Sequence, residues 1–176
     1  MTPRLVTFAI PAALRRAAAA AILAAAVPAA AQAQQAAEAA ARPFENLQGT
    51  WSGTGTITLG SGDKERIRCR VTYNVERGGS GVDQDLRCAS DSYKFELMAK
   101  LSANGGSISG YWTERTRNLN GQLVGRASGS RIQAMAETGG FAAALTLVTR
   151  GDRQSVQIES KAQEISNVNI TLRRGR

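Results

Sequence analysis

The chain has 176 residues, with 22 Lys and Arg against 14 Asp and Glu, two cysteines and no histidine, for a net charge of +8. Without histidine, no Ser-His-Asp or Cys-His catalytic arrangement can form, and two thiols alone do not make a structural zinc site. The length allows one domain with a real hydrophobic core.

The first 33 residues read as an export signal. Arg4, Arg15 and Arg16 supply its positive start, and Ala31-Gln32-Ala33 matches an A-x-A cleavage pattern. The apolar run between them, Ala17 to Val27, is too short to cross a hydrocarbon core of about 30 Å as a helix. The competing reading is a retained anchor. Cleavage removes three arginines and no acids, which lowers the charge from +8 to +5. No cysteine precedes Cys69, so a lipid on an N-terminal cysteine is not expected. The expected product is periplasmic or secreted, with no transmembrane segment in the mature chain. Residues 34–45 are rich in Ala, Gln and Glu and read as a flexible tether or a frayed helix. Residues 46–176 are then the single domain.

From Leu47 onward almost every stretch alternates apolar and polar residues between short turns. Trp51, Gly53, Gly55, Ile57 and Leu59 share one face. Ile67, Cys69, Val71, Tyr73 and Val75 share the next, and Val82, Gln84, Leu86 and Cys88 return after Gly78-Gly79. Folding back at those glycines sets Val75 against Val82, Tyr73 against Gln84, Val71 against Leu86 and Cys69 against Cys88. A turn rule and a facing rule thus converge on two cysteines, and a disulfide-stapled hairpin is expected. A two-residue turn makes them a hydrogen-bonded pair. A four-residue loop, Arg77 to Ser80, makes them a non-hydrogen-bonded pair. Both separations permit the bond.

Later turns follow the same logic. Ser90-Asp91 sets Leu86 against Phe95, and Asn104-Gly105 sets Leu97 against Trp112. Gly129-Ser130 sets Ala127 against Ile132, Thr138-Gly139 sets Ala136 against Phe141, and Gly151-Asp152 sets Leu147 against Val156. A last strand carries Val168, Ile170 and Leu172. The chain therefore reads as all-β, an antiparallel up-and-down meander of about ten strands. Closure into a barrel removes the two exposed edges of such a sheet. Glycines on the apolar face, such as Gly53 and Gly55, suit strands that coil sharply. A two-sheet sandwich is the alternative.

Leu47-Gln48-Gly49-Thr50-Trp51, opening the first strand, resembles the Gly-x-Trp entry of the calycins: the lipocalin, streptavidin and fatty-acid-binding barrels. Small periplasmic metalloprotease inhibitors share that opening, but no other segment of this chain matches theirs. The resemblance implies a calycin-like barrel in which Trp51 packs across the closed end. An arginine from the last strands would lie near it, one of Arg150, Arg173 and Arg174.

The inner face combines Trp51, Tyr73, Phe95, Leu97, Trp112 and Phe141 with small residues, among them Ala127, Ala134, Ala136 and Ala143. A bulky half facing a small half leaves room for a small apolar or amphipathic ligand, unless the strands approach and the core fills. Gln84 is the polar member of this interior and needs a partner, either Tyr73 or a ligand. On the outer face the pairings above bring Arg70, Arg87, Lys94 and Arg115 into one row, with Arg68 and Arg117 near one end. Such a row suggests an anionic envelope component as partner, and a salt-bridge lattice is the plainer reading. Only Tyr111 joins it as an outward aromatic, too few for a nucleic-acid stacking platform. A converging carboxylate pair would have to come from Asp83 with Asp85, or from Glu96. Gly78-Gly79-Ser80-Gly81 precedes no helix and so is no phosphate loop. No enzyme activity, cofactor or metal site is expected.

Overall fold

The computed structural model describes residues 29–161 and 164–175. Of the expected export signal, only residues 29–33 fall among them, at the start of a helix. That helix, α1 (Ala29–Ala41), leads into one 3-10 turn at Glu45–Leu47. Ten strands follow: β1 (Gly49–Leu59), β2 (Lys64–Val75), β3 (Gly81–Ala89), β4 (Lys94–Asn104), β5 (Ser107–Glu114), β6 (Leu119–Ser128), β7 (Arg131–Thr138), β8 (Phe141–Arg150), β9 (Arg153–Ser160) and β10 (Ile165–Arg174). Each pairs antiparallel with its neighbour in sequence, and β10 pairs with β1. The sheet is thus a closed ten-stranded barrel of the calycin-like kind, not a sandwich.

The close approach of β1 and β10 depends on glycine. A Cβ on Gly53 would stand 1.9 Å from the carbonyl oxygen of Thr171, and one on Gly55 1.9 Å from that of Asn169. No other side chain fits there without opening the seam.

The β2–β3 hairpin has the register expected from the mirrored cysteines. Val75 faces Val82, Tyr73 faces Gln84, and Cys69 faces Cys88. The Glu76 amide donates to the Gly81 carbonyl, so the loop is the four-residue one. Cys69 and Cys88 form the disulfide as a non-hydrogen-bonded pair, with Cα atoms 4.1 Å apart.

Three other hairpins differ from expectation by two residues. Leu86 faces Leu97 rather than Phe95. Ala99, not Leu97, faces Trp112, because the turn is Gly105-Gly106, both with positive φ (56° and 83°) as a primed turn requires. Thr138, not Ala136, faces Phe141. The hairpins at Gly129-Ser130 and Gly151-Asp152 have the expected register.

The two ends of the barrel differ. The base carries α1, the 3-10 turn and the β2–β3, β4–β5, β6–β7 and β8–β9 loops, while the mouth carries the alternate loops. At the base, Phe44 and Trp51 have no exposed surface and Leu47 has 3%. Phe44 lies within the stretch expected as a tether, so the packed domain begins before residue 46.

Candidate functional site

The base is a plug. Trp51 Nε1 donates to the Leu47 carbonyl at 2.7 Å. The Arg174 guanidinium lies over its ring, 4.4 Å from the centroid, and donates to the carbonyls of Gln48 and Asn46. Of the three candidate arginines, Arg174 therefore covers the tryptophan. Arg173 faces outward beside Asp152, and Arg150 is exposed. Above the plug, Tyr73 Oη donates to Gln154 Oε1 at 3.0 Å, and Gln154 Nε2 donates to Thr149 Oγ1 at 3.2 Å. Burial pushes the Tyr73 hydroxyl far above its ordinary pKa, so it stays protonated; the Gln154 bond only partly offsets this. Tyr73 thus satisfies Gln154 across the lumen rather than Gln84 beside it.

Gln84 is left partly buried on the inner face, with no side-chain partner among the described residues. Leu86, beside it, is partly buried, and so are Phe95, Leu97, Leu145, Ile158 and Val168, although all pack against the core. These inward apolar groups, along β3–β4 and the mouth-side parts of β8, β9 and β10, are still reached by solvent. The small-residue sector is not, because Ala127, Ala134 and Ala143 are at most 9% exposed. The strands have closed up there, and only Ala136 is partly open. Trp112 is buried, donates through Nε1 to the Gln122 carbonyl and meets Phe141 edge-on at 6.1 Å. Of the expected lining residues, Gln84, Phe95, Leu97 and Phe141 are the ones solvent still reaches. Trp112 backs Phe141, while Trp51 and Tyr73 belong to the plug.

The mouth carries two acids, Glu114 and Glu164, that the sequence reading did not single out. Glu114 follows Trp112 by two residues on the inner face and is 6% exposed. Its carboxylate accepts the backbone N–H groups of Glu96 at 3.0 Å, Thr116 at 3.1 Å and Arg117 at 2.7 Å. Burial pushes its pKa up, but these bonds outweigh burial and hold it below the usual carboxylate value. The Arg117 guanidinium lies over the Phe95 ring at 4.9 Å. Its Nη1 donates to the Lys94 carbonyl at 3.2 Å and sits 3.8 Å from Glu114, while Nη2 sits 3.7 Å from Glu164. Parity alone placed Glu114 inside; nothing local pointed to Glu164.

The outer cationic row is corrected by the β3–β4 register. Arg70 does face Arg87, but Arg87 faces Glu96, and Lys94 faces Ala89. Glu96 pairs with Lys94 at 2.7 Å and Asp85 with Arg87 at 3.5 Å. The Lys94 ammonium holds the Glu96 carboxyl below its usual pKa. Glu96 therefore interrupts the row between Arg87 and Arg115, and Arg117 lies at the mouth. Arg68 and Arg70, with Arg66, stay outward on β2 and exposed, without an ion pair among the described residues. Asp83 pairs with Lys100 at 3.6 Å and forms no acid–base couple with Asp85. Among the described residues, no group of three His, Cys, Asp or Glu side chains could hold a metal ion. Nor is any helix among them long and apolar enough to cross a membrane.

The sequence matches no protein family profile and no curated protein. Solved structures do resemble the fold. Rv2717c from M. tuberculosis aligns with a TM-score of 0.62 at 13% identity, covering 78% of this chain and 98% of its own. The S-type phycobiliprotein lyase CPES from Guillardia theta aligns with a TM-score of 0.53 at 10% identity, covering 76% of this chain and 90% of its own. At such identities the likeness is one of fold.

Proposed function

We propose that this is an exported, non-enzymatic barrel that binds a small apolar or amphipathic molecule in the mouth-side half of its lumen. One observation carries the reading: Phe95, Leu97, Leu145, Ile158 and Val168 face inward yet keep solvent contact, with the unpartnered Gln84 amide among them. Apolar walls with a single polar group to fix orientation are the make-up of a small-molecule site. The Cys69–Cys88 disulfide supports an oxidising compartment, periplasmic or extracellular. The fold likeness to a phycobiliprotein lyase is compatible with a ligand-holding barrel and is not an argument for lyase chemistry here.

Native mass spectrometry of protein isolated from its own cells, compared with its denatured mass, tests the reading. The expected result is a reproducible non-covalent adduct that Leu97→Trp, filling the lumen, removes from a folded protein. A bare mass, together with no saturable uptake of dodecan-1-ol, would overturn it.

A second reading rests on Arg66, Arg68 and Arg70, unpaired on the outer face of β2. They suit an anionic envelope component, lipid or protein. Retention on anionic vesicles that falls steeply between low and high salt, and disappears in Arg68→Glu/Arg70→Glu, is the expected outcome. Salt-independent retention would remove this reading.

A further inference from the structure

We propose that Arg117 is the head-group subsite of the lumen, and that the ligand is a single-chain amphiphile bearing one acidic group, a carboxylate or phosphate. This rests on the lumen reading above. Arg117 leaves the β5–β6 loop and reaches toward Glu164 in the β9–β10 loop, four strands away around the closed barrel. Its side chain is 28% exposed and lies on the ring of Phe95, an inward ring that solvent still reaches. A guanidinium offers five donors in a planar fork. Among the described residues only one bond lies within hydrogen-bonding distance, that to the Lys94 carbonyl at 3.2 Å. Both neighbouring carboxylates stand farther off, at 3.7 and 3.8 Å.

Those carboxylates are not equivalent. Glu114 is buried and committed to three backbone amides, so it positions the arginine and stays. Glu164 is 58% exposed and makes a loose surface ion pair, a type that contributes little. It stands where a ligand's acid would stand. A carboxylate or phosphate on the ligand, forming two parallel N–H···O bonds to the fork, would displace Glu164 from the arginine. Its alkyl chain would then run past Phe95 toward Leu97 and Gln84.

The test compares three probes of equal chain length on the full protein by calorimetric titration: dodecanoate, dodecyl phosphate and dodecan-1-ol. At least one acid is expected to bind tenfold or more tightly than the alcohol. The tighter acid identifies the head group. Arg117→Gln should bring the ratio of acid to alcohol affinity close to one. Arg117→Lys, which keeps the charge but not the fork, should give an intermediate ratio. Glu164→Gln leaves the packed residues untouched and should tighten acid binding several-fold. Equal affinities for all three probes, or an acid preference that survives Arg117→Gln, would overturn the head-group assignment while the lumen reading stands. No binding of any probe would overturn the lumen reading itself.

Discussion

Base and mouth use the same pair of groups, an arginine laid over an aromatic ring, to opposite ends. At the base, Arg174 covers a fully buried Trp51 and donates to two carbonyls. At the mouth, Arg117 covers a partly exposed Phe95, donates to one carbonyl and stands off from two carboxylates. What differs is the satisfaction of the donors. An arginine bound to two backbone carbonyls over a buried ring is a stopper. One with a single such bond, over a solvent-touched ring, is a group held ready for another acceptor.

Substitutions at the two ends can break this contrast. Trp51→Ala should have the largest effect, about 3–5 kcal/mol for a buried aromatic. At about 4 °C per kcal/mol for a domain of this size, that lowers Tm by roughly 12 °C or more. Phe95→Ala should cost only about 1–2 kcal/mol, since part of its surface already meets water. Equal losses in thermal denaturation would mean the mouth is as packed as the base. The arginines come next. Arg174→Met orphans two carbonyls and should cost about 2 kcal/mol, whereas Arg117→Met should cost under about 1 kcal/mol; urea midpoints would separate them. The smallest effect is one of pH. Glu114 has a folded pKa below its unfolded value near 4.3, so its contribution is complete above that pH and is lost as pH falls through the folded value. Between about pH 5 and 2 the wild type should therefore lose stability more steeply than Glu114→Gln. Parallel acid curves would mean the three amide bonds do not favour the ionised carboxylate.

The residues that build the base were partly legible in sequence, because Trp51 sits at the entry of a regular alternation and Cys69 and Cys88 mirror a turn. The face of each strand residue was legible for the same reason: period 2 assigns Gln84, Phe95 and Leu97 to the inside whatever the partner strand. Register was not. A slip of one residue turns every apolar group outward, but a slip of two changes only the partners and leaves the pattern intact. Placing one turn at Asn104-Gly105 instead of Gly105-Gly106 was enough to misalign β4 with β5. A similar slip between β3 and β4 set Lys94, in place of Glu96, beside Arg87 and produced a cationic row that does not exist. Arg117 was missed as a mouth group for a different reason. Its contact with Glu164 joins two loops on far sides of the barrel, and no local spacing encodes that.

The seam between β1 and β10 has a consequence for how the molecule is made. Nine of its ten strand pairings join neighbours across short loops and can zip up as each hairpin emerges, with little loop entropy to overcome. The tenth joins Trp51 to Arg174 and Gly53 to Leu172, the two ends of the domain, so it closes the longest loop of all and is expected to form last. Until then the sheet is open, with β1 and β10 presenting bare edges, β1 with the glycines that let the other strand come so close. Docking of these two strands is therefore the step expected to be slowest and most sensitive to protein concentration, the stage at which one chain can pair with another instead of with itself.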